Sequence, residues 1–475
     1  MQEYSYYVAG EFRQSPEKIK AFNPFNSEVI GAFFESSQGD ILEAINSARQ
    51  AQEVWRKISF KERAKVLRDI AAVILENLQE LASLETQEIG KPIKETLFVD
   101  IPMGAEDFKF YANLLETLEE RLIKTPTGIS LLEYEPLGVC VIYLPYNVPL
   151  MILGFVASAA LAGGNSVIIK PSEYGSLSVL AWARYLEKLD LPRGLINVIT
   201  GKGESVGRFL AQSQTDLISF TGSRDTFKKI FSNAASWPKK MLCELGGANL
   251  TLVFKDADLR EALDNVLSSS FIKQGQMCIG TSLLLVEEEI YEDFIKDLID
   301  KVKKLKLADP LLPDTHVGPL PTKSHLENVH LRVKNLVGNG ARILSGGEIL
   351  EDKFYPPTVI EIKELLYEEF FAPVILTRPF KKEEALQMVL KNPAGLVLQI
   401  WTKDFEFAYG LAKSCCAGTV WINTFAQMGP QTPFGGFKLS GWGRNLGRWG
   451  FFEYVQPKHI GLGLGRSQTS GWFGV

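Results

Sequence analysis

A two-part α/β architecture built on open, mostly parallel sheets is predicted for this chain, and three observations predict it. From Gly138 onward, short β-branched or apolar runs at 139–144, 166–169, 196–199 and 217–220 alternate with helical stretches. That alternation is the pattern of parallel strands joined by crossover helices. Each run ends in polar or glycine residues: Pro145-Tyr146-Asn147, Lys170-Pro171-Ser172-Glu173, Thr200-Gly201-Lys202-Gly203 and Thr221-Gly222-Ser223. Ligands of open α/β sheets bind beyond the carboxyl ends of the strands, so four such ends in register mark a Rossmann-like unit suited to a nucleotide. At 475 residues the chain is also long enough for two domains and an appendage.

Taken in order, residues 1–35 read as short strands and turns, punctuated by Asn23-Pro24-Phe25-Asn26. A first amphipathic helix opens at Asp40 as N-cap and places Ile41, Leu42, Ile45, Ala48 and Ala51 on one face. A second carries Val66, Leu67, Ile70, Ile74, Leu78 and Leu81 at helical spacing, and a third lies around 100–120. These helices read as scaffold. After the four-strand unit, a second α/β segment spans about 247–445, with a helix near 287–305 and a strand at 418–423. The last fifteen residues, 461–475, are rich in Gly and Ser and include Trp472 and Phe473; a frayed tail and an arm packed on a neighbouring subunit fit them equally.

Composition narrows the function. Hydrophobic residues make up 46% and charged residues 23%, an ordinary globular balance. The net charge of −5, with no long basic run, argues against nucleic acid or an anionic membrane surface as partner. No secretory leader pattern stands near the start, and the longest apolar stretch, 139–169, is broken by Pro145, Asn147, Pro149 and glycines, so no spanning helix is expected. Five cysteines, an odd count without framework spacing, point to a reducing cytoplasm. Neither Cys-x-x-Cys nor His-x-x-x-His occurs, so no metal site is expected. The four histidines lie away from every motif, which leaves carboxylates for acid/base work.

Cys278, in Gly275-Gln276-Met277-Cys278, stands 34 positions after Glu244, in Glu244-Leu245-Gly246-Gly247. A thiol and a carboxylate are the groups needed to make and then hydrolyse a thioester. A free thiol of pKa about 8.5 is only slightly ionised at neutral pH, so a nucleophilic cysteine needs activation. Alone, each half is weak: a solitary cysteine is more often a small buried hydrophobe, and a Glu before Gly-Gly a solvated turn residue. Lys170 and Glu173, three apart beyond a strand, read in isolation as a surface ion pair; they can also reach two ribose hydroxyls.

Taken together these segments resemble the aldehyde dehydrogenase superfamily, from about residue 20 to residue 458, most closely its salicylaldehyde, benzaldehyde and vanillin branch through Asn147 to Gly154. The resemblance implies the aldehyde dehydrogenase fold: a cofactor domain at 1–120 and 137–246, a catalytic domain at 247–445, and a small β oligomerisation arm at 121–136 and 446–475, hence a homodimer or homotetramer. It implies Cys278 as nucleophile, Glu244 as general base, and Asn147 with the Cys278 amide as oxyanion hole. For the cofactor it implies Lys170 and Glu173 on the adenine-side ribose, Gly203 in the adenine-side turn, Gly222 and Ser223 at the pyrophosphate, Leu245 among the cofactor-binding residues, and Glu369 and Phe371 at the nicotinamide end. Glu173 disfavours a 2′-phosphate, so NAD is expected over NADP without excluding it. Val148, Met151, Phe155, Met277, Ile279, Phe425, Met428 and Phe434 are implied as the aldehyde tunnel. None is charged, so a neutral, hydrophobic or aromatic aldehyde is expected. Four positions depart from the family: Phe227 where a second glycine usually stands, widening the pyrophosphate region; Val156 in place of a lysine; Ala248 after Gly-Gly; and Ala372 in place of glycine. Two rival readings stay open, a CoA-acylating relative, which generally lacks the Glu, and a catalytically silent structural member, which tends to lose the nucleophile.

Overall fold

The computed structural model describes residues 1–119, 121–464, 469 and 471–474. Five parallel strands form the heart of an eight-stranded sheet, in the spatial order Lys240–Leu245, Leu217–Gly222, Val139–Tyr143, Ser166–Lys170, Ile196–Val198. Antiparallel Tyr6–Val8 and Glu11–Arg13 extend one edge, and Gly441–Trp442 the other. Val139–Tyr143, Ser166–Lys170 and Ile196–Val198 are buried throughout, which is why they read as unbroken apolar runs. The chain reverses its direction across the sheet between Val139–Tyr143 and Leu217–Gly222, and Asn147 and Ser223 lie just past the ends of these two strands. That is the topological switch point, where such sheets bind ligands.

A seven-stranded sheet follows, ordered Arg342–Ser345, Thr358–Glu361, Val374–Phe380, Leu283–Glu287, Leu250–Val253, Val397–Trp401, Thr419–Ile422 and parallel except for the first pair. Only Gly246-Gly247-Ala248-Asn249 separates the last parallel strand of the first sheet from Leu250–Val253, so the Glu244 motif is itself the crossing between the sheets. The expected hairpin before Glu135 is present as Arg121–Thr125 and Gly128–Pro136, and Val455–Gly463 completes a three-stranded antiparallel sheet on it. Its Arg121–Thr125 edge is exposed. Of the 461–475 tail, residues 465–468, 470 and 475 lie outside the described residues; Trp472 and Phe473 are exposed.

Helices differ from expectation in detail. The first runs Gln38–Trp55 with Ser37, not Asp40, as N-cap; the Ser37 hydroxyl accepts from the Asp40 amide, so Asp40 sits inside the first turn, where a carboxylate also favours the N-terminal dipole. The expected second helix is two, Phe60–Glu76 and Leu78–Ile89, separated at Asn77, whose φ of −113° breaks the α geometry. The third, Ile101–Thr117, is preceded by a π turn, Thr96–Asp100. It crosses the almost wholly buried Pro149–Ala162 helix at Gly104 and Gly154, and a Cβ on Gly104 would lie 2.5 Å from the Leu150 carbonyl oxygen. No helix of the described residues is long and apolar enough to cross a membrane.

Candidate active site

Glu244 closes the last parallel strand of the first sheet, opposite Thr221 on one side and Gly441 on the other. Its carboxyl is buried, and Oε2 has no hydrogen-bond partner among the described residues. Burial pushes its pKa well above the usual carboxylate range, an effect that the Arg444 guanidinium only partly offsets. The Gly-Gly that follows has a steric cause. A Cβ on Gly246 would collide with the Glu369 carboxylate, and one on Gly247 would lie 2.5 Å from Ala394 Cβ. The bare crossing therefore lets the Glu369 carboxylate pack directly against the chain two residues after Glu244. Leu245, buried, donates its amide to Ser440 O at 3.0 Å.

Cys278 is reached through a strained turn. Lys273, Gln274 and Gly275 have φ of 56°, 54° and 67°, and non-glycine residues there cost about 1–3 kcal/mol each. Gly275 is required twice over, by its φ and because a Cβ would run into the Ala372 carbonyl. The turn is held at both ends: Glu95 accepts from the Lys273 amide at 2.9 Å, and Asn249 Nδ2 donates to the Cys278 and Gly280 carbonyls at 2.7 and 2.9 Å. Burial pushes the Cys278 thiol up to about 12, with Glu244 and Glu369 adding to the rise and Lys273 opposing it. Cys278 thus feels both Glu244 and Glu369.

Asn147 is buried just past Val139–Tyr143. Its Nδ2 donates to Gln276 O at 2.9 Å, and Tyr146 O–H donates to Gln276 Oε1 at 2.8 Å. One of the two amide hydrogens is thereby spent on the Cys278 segment, which fixes the amide plane; the other is free to donate.

At the cofactor end, Lys170 is buried with Nζ 3.1 Å from Pro171 O and 3.9 Å from Glu173. Burial lowers its pKa, while Glu173 and Glu35 oppose the fall. Gly207, which sequence reasoning did not single out, packs its bare Cα beside the Lys170 stem and accepts from Tyr143 O–H at 2.8 Å. Gly203 opens the Gly203–Gly207 turn with free space where a Cβ would be. Gly222 ends its strand, and Ser223 caps Arg224–Ala234, accepting from the Thr226 amide at 3.2 Å. Glu369 is half-buried, with Oε1 inaccessible and unpartnered among the described residues; desolvation pushes it up to about 7, relieved by the Gly247 amide and by Arg224 and Arg332. Phe371, at φ 52°, sets its ring edge-on to Tyr146 at 6.0 Å. A buried ammonium with donors to spare, a carboxylate with a buried orphan oxygen, and glycines that leave backbone bare fit a dinucleotide's two riboses and its phosphates.

Two expectations need correcting. His325 is not remote from the motifs: its Nε2 lies 2.9 Å from the Phe371 carbonyl oxygen, and burial lowers its pKa, so a neutral ring donates to and holds the strained Phe371. Phe227 is buried between helix and sheet, in ring contact with Phe220 at 5.8 Å and Trp442 at 5.3 Å, so packed rings fill the space where a second glycine was expected. Of the expected tunnel, Val148, Phe155 and Phe434 belong to the core on which Met151, Cys278, Ile279, Phe425 and Met428 pack; Met277 is buried outside that cluster, beside Gly280. Trp421, unanticipated, meets Phe425 edge-on at 5.5 Å. Lys91, Asp100, Lys273 and Asn249 were also missed. Only the left-handed Gly90 before Lys91 hinted at a special turn there.

A Rossmann-like sheet meeting a second α/β unit, with a thiol and a buried carboxylate near the crossing, is an arrangement suited to a nucleotide-dependent oxidoreductase. Residues 12–460 match the model of the aldehyde dehydrogenase family, and the chain belongs to that family. It is 36% identical to the betaine aldehyde dehydrogenase of Bacillus subtilis (strain 168), over 96% of each chain. Among solved structures it is similar to an NAD-dependent aldehyde dehydrogenase from Sinorhizobium meliloti, with a TM-score of 0.95 at 33% identity, covering 98% of this chain and 96% of the other. It is also similar to the betaine aldehyde dehydrogenase of Staphylococcus aureus in complex with NAD+, with a TM-score of 0.94 at 34% identity, covering 98% and 95%. Its activity is aldehyde oxidation.

Proposed function

We propose that the enzyme converts an aldehyde to the free carboxylic acid with NAD, through a thioester on Cys278 that Glu244 helps to hydrolyse. The observation that supports this most is that Cys278 feels both Glu244 and Glu369 while Asn147 Nδ2 is hydrogen-bonded to Gln276 O, two residues before Cys278. The Cys278 thiol loses its proton to solvent, its sulfur forms a bond to the aldehyde carbon as the carbonyl π bond breaks, and the free hydrogen of Asn147 Nδ2 and the Cys278 amide meet the new oxyanion. Glu369 and Lys170 would hold the riboses of NAD, which would supply the acceptor for the hydride. Collapse of the oxyanion as the hydride departs leaves the thioester. Glu244 then takes a proton from water, the water oxygen bonds to the acyl carbon, and the carbon–sulfur bond breaks. Burial raises the pKa of both Glu244 and Cys278, so each must first give its proton to solvent before the one acts as base and the other as nucleophile.

For the substrate, the uncharged tunnel residues favour a neutral, hydrophobic or aromatic aldehyde. A second reading, a quaternary ammonium aldehyde, is favoured by the relative named for betaine aldehyde, with Trp421 and Phe425, edge-to-face at 5.5 Å, as the candidate aromatic partners for its cation. The exposed Arg121–Thr125 edge supports a homodimer or homotetramer, since such edges are normally covered. Five free cysteines fit a reducing cytoplasm. Initial rates with benzaldehyde, betaine aldehyde and succinate semialdehyde, each with NAD and with NADP, test the assignment. Benzaldehyde with NAD is expected to give the highest kcat/KM; betaine aldehyde far above it would move the assignment to the second reading.

A further inference from the structure

Beneath Asn147 and Cys278 lies a buried charged cluster that the steps above do not use. Lys91 follows the helix Leu78–Ile89 and its left-handed Gly90, and its Nζ is 2.6 Å from Glu85, 2.6 Å from Asp100 and 3.0 Å from the Asn147 carbonyl oxygen. The other oxygen of Asp100 is 2.7 Å from Lys273 Nζ, on the strained turn that leads into Cys278. Lys91, Glu85 and Asp100 are essentially inaccessible, and Lys273 nearly so. The π turn explains the convergence. In an α-helix, residues 95 and 100 would point about 140° apart, whereas five residues close roughly one turn of a π-helix. Glu95 and Asp100 therefore both reach the Lys273 segment, one at its amide and one at its ammonium.

We propose that Glu85, Lys91, Asp100 and Lys273 form a positioning device, with Asp100 as its hub, that ties the Asn147 segment to the Cys278 segment and so sets the register of the two oxyanion donors. Two lysines on two different loops share one carboxylate, so neither loop can shift without parting a buried ion pair. Burial opposes the charge of Asp100, but Lys273 and Lys91 outweigh it and hold the carboxyl below its usual value, so the hub stays ionised through the working pH range. Strain at Lys273 and Gln274 persists only where surroundings over-determine it, and the Asp100 and Glu95 contacts do so. Asp100 is a positioning residue: it contacts Lys91 and Lys273 rather than the reacting atoms.

The proposal rests on the assignment of Asn147 and Cys278 to the chemistry, and the test separates the two. Full-length wild type, Asp100→Asn, Lys273→Gln and Cys278→Ala are compared in single-turnover NADH formation with benzaldehyde, alongside NAD affinity and melting temperature. A misplacement of about 1 Å costs about 10²-fold in rate, so Asp100→Asn is expected to slow NADH formation by about that factor while NAD affinity stays within about twofold. Lys273→Gln, which keeps the length and a donor but loses the charge, is expected to slow it about tenfold and to move the pH profile of Cys278 alkylation upward, against a background of Glu244 and Glu369. If Asp100→Asn does not fold, Lys273→Gln decides alone. Folded variants that form NADH within about threefold of wild type, while Cys278→Ala is inert, would overturn the device and leave the centre intact. An active Cys278→Ala would overturn the centre itself.

Discussion

Replacing Asn147 by Ala isolates the oxyanion hole. In the folded enzyme one hydrogen of Asn147 Nδ2 is committed to Gln276 O at 2.9 Å, and the backbone oxygen of the same residue is committed to Lys91. The change therefore removes two things of different size. Loss of the free hydrogen that meets the developing oxyanion is expected to cost about 10²–10³ in rate, or about 2.7–4 kcal/mol of transition-state stabilisation. Loss of the second leaves the buried Gln276 carbonyl unpaired, a stability cost of about 1–3 kcal/mol. The first appears in kinetics, the second in melting. Stopped-flow NADH formation at saturating aldehyde should slow by about two to three orders of magnitude, with NAD affinity measured alongside and expected to hold. A well-folded Asn147→Ala enzyme that forms NADH at a rate within about threefold of wild type would refute the donor assignment.

Other perturbations reach separate parts of the centre. Glu244→Gln should keep a rapid first-turnover burst of NADH equal to the number of sites and lose steady-state turnover by about 10²–10⁴-fold; loss of the burst as well would place Glu244 in the first chemical half rather than the second. Since burial raises the Cys278 thiol to about 12, iodoacetamide alkylation without cofactor should be slower at pH 7.5 than for a free thiol and keep rising through pH 10; a plateau below pH 8 would contradict the assigned environment. Asp107 is buried with neither carboxyl oxygen partnered among the described residues, and burial raises its pKa well above the usual value. The unfolded chain gives up that proton first, above about pH 4, so above that pH the native state binds more protons and stability falls as pH rises toward the folded-state value. Asp107→Asn should therefore stabilise more at pH 8 than at pH 5, by up to about 1.4 kcal/mol per pH unit crossed; an equal change in melting temperature at both pH values would count against it.

Strand ends and glycine motifs made much of this centre legible from sequence. Val139–Tyr143 and Ser166–Lys170 are buried on both faces, and such strands write themselves as apolar runs followed by polar ends; the residues at those ends, Asn147 and Lys170, are where the reading put them. Glu244 and Cys278, 34 positions apart in the chain, pair on the chemistry a thioester needs, and the resemblance assigns each its role; the bare Gly246 against Glu369 supplies the steric reason that the motif has its form. The support beneath was not legible. Lys91 and Asp100 look like solvated charges on helical segments, and nothing in local pattern reveals a π turn that aims Asp100 at Lys273. His325 escaped for the same reason, since its partner is a backbone carbonyl 46 positions away. Helix boundaries slipped where a cap one turn earlier, Ser37 before Asp40, competed for the same role.

Covalent catalysis can be read directly from the mass of the Cys278 peptide. Glu244→Gln enzyme, mixed with NAD and benzaldehyde, quenched in acid within the burst and digested, should show that peptide heavier by the aldehyde less two hydrogens, the signature of a thioester. An unmodified Cys278 peptide alongside a full burst of NADH would contradict the central claim.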